Sequence, residues 1–374
     1  MLDFQINIFN LLILASVFIG LTFSLLLIFS KRINQRANRF LGFASLVIVS
    51  WNIWVLSHDL DFFRYAPKFY LIPLNFSLAL GPLFYFYTKN ITDVNFAFTR
   101  KNWLHFIPVL LELVVHMMVS SEAIAKNILA TSTNTFFTFV PIVQLLAICS
   151  VVTYSILALK EIKKYHTWLQ NNYSNDSEYS LSWLYRLLFI FTLLWLLWIP
   201  YTLVDFLLFN FTLDIPDYYP IYILMSVITI WISVEAYLKP EVILLEQKSQ
   251  PKITKVAPTE DIVNKANWLI AQMELNLYYL NPELTLTSLA DSLGIHPNKL
   301  SKIINEGTGK SFSDFVNDYR INAVIKRLGN PEYNHITLLG ISFECGFNSK
   351  TTFNRVFKEA KGVTPFEYKK SLLR

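Results

Sequence analysis

The chain has 374 residues, of which 53% are hydrophobic and 16% charged, and its mean hydropathy is +0.39. A soluble domain carries about 25% charged residues, so the composition excludes an ordinary soluble globular protein. The charge is also unevenly placed. Residues 1–246 hold 15 Lys/Arg and 15 Asp/Glu, whereas residues 247–374 hold 17 and 12, which puts the whole formal charge of +5 in the last third. A neutral apolar part joined to a basic polar part points to a membrane domain followed by a domain that meets an anion, either nucleic acid or the lipid surface.

The N-terminus opens on Met1, Leu2 and Asp3, with no basic stretch and no small-residue cleavage site after the first apolar run. That run therefore reads as a retained membrane helix and not as a signal peptide. Seven segments reach the about 20 apolar residues a bilayer core requires: 8–30, 40–58, 70–88, 103–120, 135–159, 183–211 and 220–238. Pro200 marks a kink in the sixth. Basic residues alternate between the loops. The first, third and fifth loops hold 4, 3 and 3 (Lys31, Arg32, Arg36 and Arg39; Lys89, Arg100 and Lys101; Lys160, Lys163 and Lys164). The second, fourth and sixth hold 2, 1 and 0. Basic loops face the cytoplasm, which sets the N-terminus outside and the C-terminus inside, in the inner membrane; seven crossings require the same.

Residues 239–258 read as a cytoplasmic linker, punctuated by Pro240, Pro251 and Pro258 and made basic by Lys248, Lys252 and Lys255. From Thr259 the polarity becomes that of a soluble protein. A helix carries Ile262, Ala266, Leu269, Ile270, Met273 and Leu277 on one face. Leu286, Leu289, Ala290 and Leu293 follow at helical spacing, with Thr285 as N-cap and Gly294 as stop. Pro297 opens the next helix, with Leu300, Ile303 and Ile304 inward. Helix, short glycine-containing turn, helix is a helix-turn-helix. The pattern recurs at 338–343 and 349–357, closed by Gly346-Phe347 and capped by Ser349. Between the units runs a helix from about Phe312 to Leu328, opened by Ser311 and Asp314 as a capping box. Cys149 and Cys345 form no disulfide framework or metal site and read as small buried hydrophobes.

The run from Gly346 to Lys358, with Gly362 and Thr364-Pro365-Phe366-Glu367-Tyr368, resembles the C-terminal signature of AraC/XylS-type transcription regulators. The first unit is similar too, in Leu289-Ala290, Leu293-Gly294-Ile295, Leu300-Ser301-Lys302, Gly307-Thr308-Gly309 and Ser311-Phe312. His296 departs from the usual serine cap, and Gly340 and Ser342 stand where alanine is usual. The resemblance spans about 262–372 and implies that each unit presents its second helix to the major groove of double-stranded DNA. On that basis Asn298, Ser301, Lys302, Lys350, Thr351, Asn354 and Arg355 are expected to read bases. Lys299, Lys310 and Lys358 are expected to meet phosphates.

Ionisable groups inside membrane segments are rare and mark function by default. Glu112 and His116 share a helix face, Asp205 lies in the outward half of the sixth segment, and the three are expected to line a ligand pocket. No phosphate-binding loop, zinc-protease motif or nucleophile triad is present, so neither a cofactor nor an enzyme is expected. The expected fold is all-α: a seven-transmembrane-helix bundle followed by a soluble all-α double helix-turn-helix domain. The expected function is a one-component regulator that binds DNA under control of a signal at the membrane domain. Its expected partners are DNA, the lipid bilayer and an unidentified small-molecule or membrane signal, with homodimerisation left open. A transporter or channel carrying a regulatory domain is the alternative.

Overall fold

The structure, a computed structural model, describes residues 7–29, 34–93, 95–127, 133–176, 179–209, 213, 215–238 and 260–372. The linker expected at 239–258, the loop residues Lys31 and Arg32, and the start of the C-terminal domain at Thr259 lie outside the described residues. The described residues are helical and contain no strand.

The chain forms two compact units, Met1–Ile162 with Ser182–Glu246, and Lys163–Leu181 with Gln247–Arg374. The first unit holds α1 (Ile8–Phe29), α2 (Gln35–Asp59), the single turn α3 (Phe62–Tyr65), α4 (Ser77–Thr92), α5 (Ile107–Lys126), most of α6 (Asn134–Asn172), α7 (Ser182–Phe209) and α8 (Tyr219–Leu238). Among the described residues, six spans are long and apolar enough to cross a membrane: Ile8–Phe29, Gln35–Asp59, Arg100–Lys126, Asn134–Asn172, Ser182–Phe209 and Pro216–Glu235. Their outer faces present Phe18, Leu110, Leu145, Leu197 and Leu207 to the surroundings, a surface suited to lipid and not to water.

The third expected segment, 70–88, differs. A 3-10 turn at Pro67–Leu71 gives way to extended backbone, and only Ser77–Thr92, 16 residues, is helical. At 1.5 Å per residue such a helix spans roughly 24 Å, short of the about 30 Å hydrocarbon core. Pro73 disfavours helix at the residue before it, and Ile72 is extended. The N-terminal end of α4 is closed from another helix. The Ser77 hydroxyl donates to Glu112 Oε1, and the Leu78 amide donates to Glu112 Oε2 at 3.0 Å. A carboxylate at a helix N-terminus satisfies orphan amides that lipid cannot.

Small and polar residues bring the other helices together, as expected where apolar burial alone does not drive association. A Cβ on Gly20 would stand 2.6 Å from Val49 and 2.7 Å from Thr229, so α1 closes on α2 and α8 only with glycine there. Asn52 Nδ2 donates to Ser16 Oγ at 3.2 Å and to Thr229 Oγ1 at 3.5 Å across the same three helices. At one end Asp59 accepts from Tyr219 at 2.7 Å and from Asn10 at 2.5 Å.

In the second unit α9 (Glu260–Asn276), α10 (Leu286–Ser292), α11 (Pro297–Thr308), α12 (Phe312–Leu328), α13 (Leu338–Glu344), α14 (Lys350–Lys361) and α15 (Pro365–Leu372) follow in order. They build two hydrophobic cores. Leu269, Met273, Leu289, Leu300, Ile304 and Phe315 belong to the first, and Ile321, Val324, Ile341, Phe347, Phe353 and Phe357 to the second. Helix α12 supplies its N-terminal half to one and its C-terminal half to the other, which couples the two helix-turn-helix units. Local signals set the boundaries. Thr285 and Ser288 form a capping box on α10, Ser311 accepts from the Asp314 amide at 3.1 Å, and Ser349 accepts from the Thr352 amide at 3.1 Å.

Candidate nucleic-acid interface

Helix α11 is strongly two-faced. Leu300, Ile303 and Ile304 are buried, while Asn298, Lys299 and Lys302 are exposed. His296, standing where a serine is usual, still caps the helix: its Nδ1 accepts from the Asn298 amide at 3.2 Å. Ser301 departs from the expected exposed stripe. It is 9% exposed and its hydroxyl accepts from Asn305 Nδ2 at 3.1 Å, because its position between Leu300 and Ile304 turns it toward the core. The Lys302 side chain is 61% exposed, with Nζ 3.9 Å from Glu306, a pairing too loose and too wet to hold it. Lys310, just beyond the helix, pairs with Asp318.

Helix α14 repeats the design. Phe353, Val356 and Phe357 are buried, and Lys350, Thr351, Asn354, Arg355 and Lys358 are exposed. Each second helix therefore offers a polar stripe to solvent above an apolar one. Arg355 is the most constrained of these residues: Nη1 donates to Glu359 Oε2 at 3.1 Å and Nη2 to Asp176 Oδ1 at 2.8 Å.

Two residues that matter here were not singled out from the sequence. Arg320 on α12 is 1% exposed. It donates to the Tyr279 carbonyl at 2.8 Å, the Asn281 carbonyl at 2.7 Å and Ser174 Oγ at 3.1 Å, and its guanidinium carbon stands 5.8 Å from the Phe347 ring centroid. A buried guanidinium is tolerable only when its donors are used in this way; burial still lowers its pKa to about 10. The available signal was its spacing, four residues from both Val316 and Val324 on the inward face. Asp176 is the other. Burial pushes its carboxyl up, with Arg355 opposing. It lies 179 residues before its partner, and no local pattern reveals it.

In the first unit, Glu112, His116 and Asp205 all line one cavity of about 260 Å³, walled by Trp51, Trp54, Trp195, Trp198 and Tyr222. The two carboxylates have protein partners. Glu112 holds the end of α4, and Asp205 accepts from the Tyr218 hydroxyl and from the Leu213 amide at 3.3 Å. His116 Nε2 is 3.4 Å from Ser120 Oγ. The Trp195 indole N–H is buried with no hydrogen-bond partner among the described residues.

Residues 289–371 match the family described as "Helix-turn-helix domain". Among similar proteins is one from Bacillus subtilis (strain 168) named as the uncharacterized HTH-type transcriptional regulator YtdP, 32% identical over 87 residues, or 23% of this chain and 11% of that one. The HTH-type transcriptional regulator YdeC of the same organism, also named as uncharacterized, is 29% identical over 104 residues, 28% of this chain and 32% of that one. The uncharacterized transcriptional regulatory protein YesN, from the same strain, is 32% identical over 92 residues, 24% of each chain. The chain thus spans between 11% and 32% of the length of these relatives. No solved structure matches it. Two capped helix-turn-helix units, joined by a helix shared between their cores and matched over 289–371, make the C-terminal part of this chain a helix-turn-helix domain of the AraC type.

Proposed function

We propose that the chain is a membrane-bound one-component transcription regulator. Its domains would be 1–238 as a membrane sensor, 239–258 as a linker and 259–374 as the DNA-binding part, with residues 163–181 of the first stretch folding together with the last. The observation that carries the reading is the repeated exposed stripe. Asn298 and Lys302 on α11, and Lys350, Thr351, Asn354 and Arg355 on α14, are solvent-facing on helices whose opposite faces form the cores. Polar side chains on a protruding helix are what reading a major groove requires. Ser301, being buried, drops out of the base-reading set and becomes a support for Asn305. Lys299, Lys310 and Lys358 would neutralise phosphates. The relatives named as transcriptional regulators support the same assignment.

For the membrane part we infer seven crossings, with the short α4 as the third, sheltered by its neighbours, since 13 of its 16 residues are buried. The cavity holding Glu112, His116 and Asp205 would be the signal site. Its aromatic walls and few polar groups are those of a small-molecule pocket.

The direct test is binding-site selection on the full-length chain in lipid nanodiscs. One discrete duplex motif is expected, with affinity falling about a thousandfold or more between 50 and 200 mM salt if six or more phosphates are neutralised. Recovery of random sequence would sink the assignment. Topology supplies an independent check. A reporter active only in the periplasm is expected to work when fused after Asp217 and to fail after Lys164 or Arg374; activity at Arg374 would put the DNA-binding domain on the wrong side.

A further inference from the structure

The segment that follows α6 is bound to the helix-turn-helix domain as tightly as part of it. Tyr173 forms an antiparallel bridge with Thr285, the cap of α10. Ser174 is fully buried. Its amide and hydroxyl both donate to the Leu284 carbonyl, at 3.3 and 2.7 Å, and its own carbonyl accepts from Asn317 Nδ2 at 3.3 Å. Arg320 donates to its hydroxyl at 3.1 Å. Asn175 Oδ1 accepts from Thr352, a buried residue of α14, at 3.2 Å. Asp176 then reaches Arg355 on the outer face of α14 at 2.8 Å, with side chains 13% and 40% exposed respectively. The segment grips α12, the entry to α10 and the second helix of the second unit within one compact unit of the fold.

The position of the last contact matters most. Arg355 is one of the residues assigned to base reading, and in this conformation it is shared between two carboxylates, Asp176 and Glu359. A guanidinium so held is drawn by two carboxylates away from the position it would take on a guanine edge, and the added carboxylate repels phosphate. Glu359 is one turn away on the same helix and can stay paired beside DNA. Asp176 belongs to a different element, and its contact is removable.

We propose that residues 173–176 are an internal clasp that competes with DNA for the second recognition helix, Asp176 holding Arg355 while Ser174 and Asn175 fix the segment in place. The clasp rests on the DNA-binding reading above. It also joins the domain to the chain that carries the signal site, because Tyr173 follows directly on α6, whose other end supplies Phe136, Phe137 and Gln144 to the cavity. Occupancy of the cavity would act on DNA binding by changing how α6 presents the clasp.

The test is a double-mutant cycle on the full-length chain in nanodiscs, using a duplex selected by the wild-type chain. Asp176→Asn preserves size and the Ser174 contacts, so folding is expected to be unchanged. It is expected to tighten binding about three- to tenfold, the range for a partly buried charge pair. In the Arg355→Ala background the same change is expected to give less than about a twofold gain, because the competition has been removed already. An Asp176→Asn chain that binds no tighter than wild type, while wild type binds the duplex well, overturns the clasp and leaves the DNA-binding reading standing. A gain that persists undiminished in the Arg355→Ala background also overturns it, since the effect would then be general charge repulsion. A wild-type chain that selects no duplex at all overturns both.

Discussion

Gly346→Ala is expected to cost the second helix-turn-helix unit about 3–5 kcal/mol, a large share of the stability of a domain of this size. Gly346 has φ +92°, where an L side chain is strained. Its surroundings make the position worse. A Cβ there would stand 2.3 Å from the Tyr279 carbonyl oxygen and 2.9 Å from Arg320 Nε. The first is backbone and the second belongs to a guanidinium committed to two backbone carbonyls and the Ser174 hydroxyl, so neither can yield cheaply. Gly294 is the internal comparison. It occupies the equivalent turn of the first unit at φ +65°, but nothing stands within 4 Å of its Cβ. Gly294→Ala is therefore expected to cost only the conformational strain, about 1–2 kcal/mol. The neighbouring thiol reports the outcome. Cys345 is buried, and burial pushes its pKa up to about 11, so alkylation requires the unit to open. In a Cys149→Ser background, Cys345 should be alkylated roughly a hundred to several thousand times faster in Gly346→Ala than in wild type if opening is governed by stability. Protection equal to wild type would mean that the turn is not the junction described.

Arg355→Ala is expected to cost about 1–3 kcal/mol on the selected site and to relax preference at one or two base pairs. Lys302→Ala is expected to do the same about one helical turn of DNA away, since equivalent helices of two units fill successive grooves about 34 Å apart. Lys358→Ala is expected to weaken all sequences about equally and to flatten the salt dependence by roughly one ion. Selection repeated on each mutant distinguishes these roles. An unchanged motif for Arg355→Ala and Lys302→Ala would remove both from base reading. Changes at one and the same base pair would rule out the two-groove arrangement. The Arg355→Ala result also carries the loss of its Asp176 contact. Its measured cost is therefore the difference between losing a base contact and releasing the clasp, and the cycle with Asp176→Asn separates the two.

What could be read from the sequence follows the range of the forces involved. The caps Thr285, Ser311 and Ser349 and the turn glycines Gly294 and Gly346 act within three or four residues, and each marks an element boundary in the structure. The apolar stripes of α11 and α14 were legible for the same reason. The structure of the third expected segment was not. Its length promised a full helix, but Pro73 breaks it, and the break is tolerable only because Glu112, some 35 residues on, supplies the missing cap. Ser301 was misplaced because a residue flanking the apolar stripe can turn either way, and a hydrogen bond from Asn305 decides it. Arg320 and Asp176 lay beyond reach because their meaning depends on partners 146 and 179 residues distant. Periodicity records which face a residue shares, not what chain from elsewhere will be laid across it.

On the proposed function, one chain is both held in a membrane and bound to specific DNA. The most direct measurement is recovery of crosslinked DNA from washed membranes of cells expressing the full-length chain, sequenced genome-wide and compared with cells expressing Arg355→Ala. The chain is expected to sediment with the membranes and to enrich a small set of sites sharing one motif, and the substitution is expected to reduce or shift that enrichment without releasing the chain from the membrane. A chain found in the soluble fraction, or membranes whose recovered DNA shows no shared motif and no response to Arg355→Ala, would contradict it.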